Sequence, residues 1–98
     1  MKHLKDPKGL LVRLSDERIA HILFRHPDMG PYLNRIGDVV SSPDFIASDP
    51  TAPGAVMYVK KFRDLPQLPA IAVVVAKGPD SFVLTAHFAR SSYVKRKK

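Results

Sequence analysis

Ala70-Ile71-Ala72-Val73-Val74-Val75-Ala76 is the longest apolar run in this chain of 98 residues. No polar residue alternates with the apolar ones, which is typical of a central strand covered on both faces. We therefore predict a strand over residues 68–77. The run is far too short to cross a bilayer, and no apolar segment follows Met1, so we expect no membrane association and a cytoplasmic location.

Two other strands are predicted beside this one, over residues 55–62 and 81–89. The turn residues Gly78-Pro79-Asp80 separate the central strand from the later one, so the three strands are expected to form an antiparallel meander. Residues 8–14 add a first strand near the start of the chain. Residues 45–47 are either a short strand or an extended connection.

A helix is predicted between the first strand and the meander. Ser15 is a good N-cap residue, and two acidic residues follow it in the first turn, where the helix dipole favours negative charge. Pro27 disfavours helical geometry at the residue before it, so the helix should end at Arg25 or His26. Its core-facing positions follow the helical period: Ile19, Ile22, Leu23 and His26.

A second helix is predicted to start near Pro31 and to end before Pro43, with apolar positions at Leu33, Ile36, Val39 and Val40. Together these elements predict one α+β domain over residues 1–89. Its N-terminal helices would pack on one face of an antiparallel four-stranded sheet. Residues 90–98 would form a separate basic tail.

The positive charge of the chain is concentrated in that tail. The formal net charge is +7, and residues 90–98 hold five of the 16 basic residues and no acidic residue: Arg90, Lys95, Arg96, Lys97 and Lys98. The rest of the chain carries 11 basic and 9 acidic residues. The tail is therefore either a phosphate-binding segment, whose contacts are salt-sensitive and independent of sequence, or a solvated run of charge.

Two short stretches hold almost all of the candidate acid–base groups. In the first helix, His21 and Arg25 lie four residues apart and so point the same way, with Arg18 on the same stripe. In the last strand, Thr85 and His87 lie two residues apart and so share one face. Imidazoles exchange protons near neutral pH, and one guanidinium group can bind two phosphate oxygens through two parallel hydrogen bonds. If the two stretches meet, they suit attack on a phosphodiester without a metal ion.

Each of these residues also has an ordinary structural interpretation. The stripe that holds His21 is equally a solvated helix face, and the polar face of the last strand is equally an exposed surface. His26 is a helix-end histidine favoured by the helix dipole, a hydrogen-bonded core histidine, or an organiser of the site. Tyr58 and Lys60 share one strand face, where they would stack a nucleobase and bind its phosphate, or else Tyr58 belongs to the core.

Several other chemistries lack the residues that they need. The chain contains no cysteine, so thiolate catalysis and disulfide bonds are excluded. Its five glycines are scattered and form no phosphate-binding loop, and no group of histidines or carboxylates has the spacing of a metal site. We therefore expect neither a metal ion nor a cofactor.

One helical segment carries a family resemblance: Glu17-Arg18-Ile19-Ala20-His21-Ile22-Leu23-Phe24-Arg25-His26-Pro27-Asp28-Met29. Tyr32-Leu33 and Ser42-Pro43-Asp44 follow it, and Val73-Val74-Val75-Ala76-Lys77 and Leu84-Thr85-Ala86 come later. In these motifs, which span residues 10–90, the chain resembles the phage-associated nucleases of the barnase–EndoU–colicin–RelE superfamily. That superfamily folds as N-terminal helices against a four-stranded antiparallel sheet, which agrees with the elements predicted above.

The resemblance implies a metal-independent, toxin-like endoribonuclease. In that chemistry the ribose 2′-hydroxyl attacks the adjacent phosphate and leaves a 2′,3′-cyclic phosphate end. His21, Arg25 and His26 match the helix motif, and Thr85 matches the strand motif. His87 replaces an aromatic residue of many relatives, and is either an added proton carrier or a neutral substitution. The predicted RNA contacts are basic or aromatic residues: Arg18, Tyr58, Lys60, Arg90, Lys95 and Arg96.

RNA is the expected partner, with an antitoxin or immunity protein as a second kind of partner. The alternative is a catalytically inactive RNA-binding or protein-binding module of phage or mobile-element origin. Only the enzyme creates new RNA ends, and it does so in EDTA. A purely structural protein that uses its sheet as an interface would bind no RNA even at low salt.

Overall fold

Six strands form one mixed sheet in the residues that the computed structural model describes, which are 2–49, 53–65 and 70–89. The strands are β1 (Lys2–Lys5), β2 (Leu11–Leu14), β3 (Phe45–Ser48), β4 (Ala55–Lys61), β5 (Ala70–Ala76) and β6 (Phe82–Ala89). They lie in the order β1-β2-β6-β5-β4-β3. The last strand of the chain therefore lies inside the sheet, between the first hairpin and the meander.

β5 is the central strand that the apolar run predicts. β4 and β6 pair with β5 on its two sides, both antiparallel and both along its whole length. The side chains of residues 70–75 are all buried, as expected for a strand covered on both faces. The predicted meander of three strands is confirmed.

The prediction of four antiparallel strands is wrong in the number and the direction of the strands. β1 pairs antiparallel with β2, and β3 pairs antiparallel with β4, which makes six strands. β2 and β6 run parallel and pair at Arg13 and Phe82. β1 (Lys-His-Leu-Lys) has one apolar residue, so hydropathy gave no signal for it. Such a charged strand is typical of a sheet edge, where lysines oppose pairing with another chain.

The first helix, α1 (Asp16–Arg25), has the bounds and the cap that the sequence predicts. The Ser15 hydroxyl accepts a hydrogen bond from the backbone N–H of Arg18 at 3.2 Å, which satisfies one of the N–H groups left unpaired at a helix start. At the other end, the N–H of His26 donates to the carbonyl of Ile22 at 2.7 Å. Pro27 follows directly and ends the helix.

The second predicted helix divides into two parts. A 3₁₀ segment occupies Pro27–Arg35, and α2 occupies Ile36–Ser41. Pro31 has no N–H to donate to the carbonyl of Pro27, so the hydrogen bonds of a regular α-helix cannot close there.

In residues 2–49, 53–65 and 70–89, no helix is long and apolar enough to cross a membrane.

The helical elements cover one face of the sheet, as predicted. Ile22 of α1, Met29 of the 3₁₀ segment and Val39 of α2 are fully buried. They form one core with strand residues such as Val73 and Val83. Strand residues on the opposite face form a second buried cluster: Ala55, Met57, Val59, Ala70, Ala72, Val74 and Ala89.

α1 runs alongside β6. β2 pairs with β6 at a single residue pair, and α1 packs against β6. Near the start of α1, the guanidinium carbon of Arg18 lies 5.8 Å from the ring centroid of Phe82. At the end of the helix, His26 meets His87. The packing of α1 against β6 therefore sets the relative position of the two histidines.

Candidate functional site

The end of α1 and the end of β6 come together at two imidazole rings. The ring centroids of His26 and His87 are 5.8 Å apart, and the ring planes are inclined by 42°. These residues belong to the two stretches in which the sequence concentrates its acid–base groups. The structure thus brings the helix motif and the strand motif to one place, which is the condition on which the predicted chemistry depends.

A β-bulge interrupts β6 beside this contact. Val83 pairs with Val75, whereas Thr85 pairs with Val74, so Leu84 is an extra residue in the strand. Regular alternation along this strand predicts Leu84 on the core side, sharing a face with Ala86 and Phe88 and opposite Thr85 and His87. The structure instead places it against the cluster on the opposite face. The prediction for this side chain is therefore wrong, because a bulge shifts the alternation by one residue.

The bulge determines which face carries Thr85 and His87. Paired residues lie on the same face of a sheet, and His87 pairs with Ala72, a member of the cluster away from the helices. In a strand that stayed regular beyond Val83, Thr85 would instead pair with Val73 and enter the helix-side core. The extra residue therefore keeps both polar side chains out of that core.

The ring of His87 is held by the backbone next to it. Nδ1 of His87 lies 3.0 Å from the carbonyl oxygen of Phe88. A carbonyl oxygen only accepts hydrogen bonds, so in the neutral ring Nδ1 carries the proton and Nε2 presents a lone pair. Phe88 packs edge-to-face on Tyr32, with ring centroids 5.5 Å apart. His87 is therefore oriented to accept a proton at Nε2.

The environment of His26 favours its neutral form. Burial lowers the pKa of His26 below its ordinary value of 6.5. The imidazole of His87 lowers this pKa further, and the carboxylate of Asp28 partly opposes the shift. Arg25 and His21 act in the same direction as His87. All four side chains therefore lie within electrostatic range of His26, whose ring is neutral at pH 7.

Replacing His87 with glutamine is expected to raise the pKa of His26 toward 6.5, because the variant removes the imidazole that lowers this pKa. The pKa is measured by NMR titration of the histidine ring signals. His3→Gln is the matched control, since His3 is an exposed residue of β1 and its loss should leave the pKa of His26 unchanged. A His26 pKa that stays fixed or falls in His87→Gln would contradict the electrostatic coupling of the two rings.

The surface around the two rings is open. Arg25 is exposed, while His21, His26, Thr85 and His87 are all partly exposed. His21 and Arg25 extend the histidine contact along the outer side of α1, and Thr85 extends it along β6. An extended polymer can lie across such a surface without entering a closed cleft.

Arg18 lies at the opposite end of α1 from the histidine pair. It lines a cavity of about 350 Å³ with Arg13, Ser15, Glu17 and Phe82. Arg18 and His26 are eight residues apart in sequence, which is about 12 Å along a helix axis. The structure thus separates Arg18 from the pair of His26 and His87, and a ligand would have to follow α1 to reach both.

Tyr58, a predicted RNA contact, is a core residue. Its side chain is fully buried, and its hydroxyl donates a 2.8 Å hydrogen bond to the buried carboxylate of Asp6. Asp6 also accepts hydrogen bonds from the backbone N–H groups of Lys8 and Leu10, at 3.0 and 2.8 Å. The ring of Tyr58 therefore has no exposed face for a nucleobase, and we do not propose it as an RNA contact.

The other predicted RNA contacts lie away from the two rings or outside the described residues. The ammonium group of Lys60 donates to the carbonyl oxygen of Ser42 at 2.9 Å, which places it at the end of α2. Lys60 and Phe88 pair with the same residue of β5 from its two sides, so their Cα atoms are about 10 Å apart. The predicted tail contacts Arg90, Lys95 and Arg96 lie outside the described residues.

Phe24 is an exposed residue of α1 that the sequence predictions did not include. Its side chain is 85% exposed, and it lies on α1 between His21 and Arg25 in sequence. A signal was present in the sequence, because Phe24 lies off the apolar stripe of an amphipathic helix. An aromatic residue in that position has no core to enter.

In the part of the chain that the structure describes, no three histidine, aspartate or glutamate side chains come close enough together to hold a metal ion. The groups that the site does offer are imidazoles, a guanidinium and a hydroxyl. The imidazoles can accept and donate protons, and the guanidinium and the hydroxyl can stabilise negative charge.

Fold and site together define a small α+β protein with a histidine surface at one side of its sheet. The chain belongs to the family described as phage-Barnase-EndoU-ColicinE5/D-RelE like nuclease2, whose model matches residues 1–98. No curated protein and no solved structure matches it. The family name places it among phage-associated nucleases.

Proposed function

We propose that this protein is a metal-independent endoribonuclease that cleaves RNA by 2′-hydroxyl attack. The observation that carries the proposal is the contact of His26 and His87, 5.8 Å between ring centroids. That contact unites the helix motif and the strand motif on one open surface. Membership of the nuclease family supports the same reaction class.

The reaction needs two proton carriers. One accepts the proton of the 2′-hydroxyl as its oxygen bonds to phosphorus, and the other protonates the 5′-oxygen as its bond to phosphorus breaks. The products are a 2′,3′-cyclic phosphate and a free 5′-hydroxyl. His87 and His21 are the two carriers in this proposal, because each presents a partly exposed imidazole at the site.

His26 acts as a positioning residue. Its ring lies against His87 and is neutral at pH 7, for the reasons given above. Because the ring of His26 is uncharged, it does not repel the positive charge that His87 acquires when it takes up a proton. His26 also caps α1, and it therefore fixes the helix end that carries Arg25.

Arg25 and Thr85 complete the proposed site. The exposed guanidinium of Arg25 supplies paired donors for the phosphate oxygens, on which negative charge increases in the transition state. The hydroxyl of Thr85 donates one more hydrogen bond from the same strand face as His87. The basic tail, with Arg90, Lys95 and Arg96, would attract the RNA backbone in a salt-dependent manner.

Incubation of labelled structured and unstructured RNAs with the protein in EDTA tests the proposal. We expect cleavage that leaves 2′,3′-cyclic phosphate ends, and a fall of about 100-fold or more in His21→Ala and in Arg25→Ala. His3→Ala is the matched control, because His3 lies on β1 outside this surface. It should retain full activity.

Three results would overturn the proposal. Full activity in both His21→Ala and Arg25→Ala would remove the site from this surface. Cleavage of an RNA whose 2′-hydroxyl at the cleaved position is replaced by hydrogen would exclude the proposed nucleophile. Binding of RNA without any new ends would instead identify the inactive RNA-binding module.

A further inference from the structure

Phe24 is a large apolar side chain that no part of the fold covers. Its side chain is 85% exposed, against 56% for Leu11 and 41% for Ile46, the other exposed large apolar residues in the described part of the chain. Folding gains almost no hydrophobic stabilisation from this ring, because nearly all of its apolar surface stays in contact with water.

The position of Phe24 on α1 connects it to the proposed site. Residues three apart on a helix are surface neighbours, with Cβ atoms about 5–6 Å apart, so Phe24 and His21 stand side by side. At 100° per residue, His21 projects between Phe24 and Arg25 around the helix axis. The ring, the imidazole and the guanidinium therefore form a continuous arc on the outer side of α1.

We propose that Phe24 is a stacking platform for an unpaired nucleobase of the RNA substrate, next to the phosphate that Arg25 and His21 engage. This inference rests on the proposed function. Every nucleobase has an aromatic face, so an exposed phenylalanine beside a cationic group binds single strands through stacking and phosphate attraction together. A base within a duplex is already stacked on both faces, so the platform selects unpaired RNA.

Charge favours nucleic acid as the occupant of this surface. Arg25 is exposed directly after Phe24 in the chain, and Arg18 lies on the same stripe of α1 as His21 and Arg25. A nucleotide offers an apolar face and an anionic phosphate at adjacent positions, which matches an exposed ring next to a guanidinium. Binding of a protein partner instead of RNA at Phe24 would contradict the proposal.

Fluorescence gives a direct test, because the chain contains no tryptophan. Phe24→Trp introduces a single reporter at the proposed platform, and Ile46→Trp introduces a matched exposed reporter on β3, at the far edge of the sheet. The ligands are 2′-O-methyl oligonucleotides, which lack the nucleophile and so are not cleaved. We expect an oligonucleotide with bases to quench Phe24→Trp, and an abasic one of equal length to leave it unchanged. Neither should quench Ile46→Trp.

Affinity measurements complete the test. Phe24→Ala should weaken binding of the base-bearing oligonucleotide roughly 5- to 150-fold, which is a stacking energy of about 1–3 kcal/mol converted at 1.4 kcal/mol per tenfold. Binding of the abasic oligonucleotide should not change, and Phe24→Tyr should bind like the wild type. Equal affinity of Phe24→Ala and the wild type, or equal quenching by the abasic oligonucleotide, would overturn the proposal.

The two proposals fail in different ways. A protein that binds bases through Phe24 and never cleaves RNA would refute the enzyme and leave the platform intact. If the wild type cleaves RNA in EDTA and Phe24→Ala is equally active, the platform would be refuted and the enzyme would stand.

Discussion

Replacing His87 with alanine is expected to lower kcat/KM for RNA cleavage by about 10²- to 10⁴-fold, the usual contribution of a general acid or base. The reason is the orientation of the ring. Its Nδ1 donates to the carbonyl of Phe88, so Nε2 is the atom available to exchange a proton at the surface. The measurement is initial-rate cleavage of a single-stranded RNA in EDTA, with the products analysed for cyclic phosphate ends.

The fold should survive this substitution. His87 is partly exposed and belongs to neither buried cluster, so the thermal unfolding midpoint of His87→Ala should stay close to that of the wild type. Thr85→Val, on the same strand face, is a useful comparison, because it removes a phosphate donor and keeps both proton carriers. Its loss of activity should be much smaller. An active His87→Ala would assign the second proton transfer to another group.

Asp6→Ala is expected to reduce the free energy of unfolding by about 2–4 kcal/mol, a large fraction of the stability of a small domain. The Asp6 carboxylate is 4% exposed and accepts hydrogen bonds from the Tyr58 hydroxyl and two backbone N–H groups. Its loss leaves a fully buried hydroxyl without its partner. Urea denaturation followed by circular dichroism measures the difference.

Two comparisons identify the cause of the Asp6 effect. Tyr58→Phe should cost about 1.5–3 kcal/mol, the usual value for a hydrogen bond to a charged group, and the double variant should cost less than the sum of the two. Asp64→Ala should change stability far less, because the Asp64–Arg35 pair lies at the surface. Additive losses in the double variant would mean that the two side chains act independently.

The stability that Asp6 provides depends on pH. Burial alone would raise its pKa, but hydrogen bonds from the Tyr58 hydroxyl and from the N–H groups of Leu10 and Lys8 outweigh burial and lower the pKa below 3.8. A group with a lowered pKa in the fold contributes stability above its unfolded value and loses it as the pH falls. The difference between wild type and Asp6→Ala should therefore be full above pH 4 and shrink in stronger acid.

The helix α1 and the central strand were predictable because local signals were sufficient. The Ser15 cap and Pro27 define both ends of α1, and neither depends on residues far along the chain. The apolar run of β5 likewise indicates burial on both faces without knowledge of its neighbours. In these segments propensity, pattern and tertiary structure agree.

The rest depended on contacts between distant segments. The bulge at Leu84 arises from pairing with β5, and the alternation of β6 alone predicts the wrong face for this residue. Tyr58 is buried because Asp6, 52 residues earlier, provides its hydrogen bond. β1 forms because the turn at Asp6 brings the chain back to pair β1 with β2. The polar sequence of β1 does not itself indicate a strand. Single-sequence patterns contain none of this information.

The site could be predicted to the extent that its residues lie in two short motifs. His21, Arg25 and His26 occupy one end of α1, and Thr85 and His87 occupy β6. That the two motifs meet is a property of the path of α1 along β6, which no local pattern specifies. The exposed position of Phe24 became apparent only when the packing of α1 was known.

The single residue pair between β2 and β6 has a consequence for the motions of the protein. β1 and β2 pair with each other at four positions, whereas β2 pairs with β6 at only one. Opening fluctuations favour boundaries with few backbone hydrogen bonds. Here that boundary runs between His26 and His87. We expect an opening at this boundary to separate the two rings while β4, β5 and β6 stay paired, so the assembled site should open more often than the whole fold unfolds.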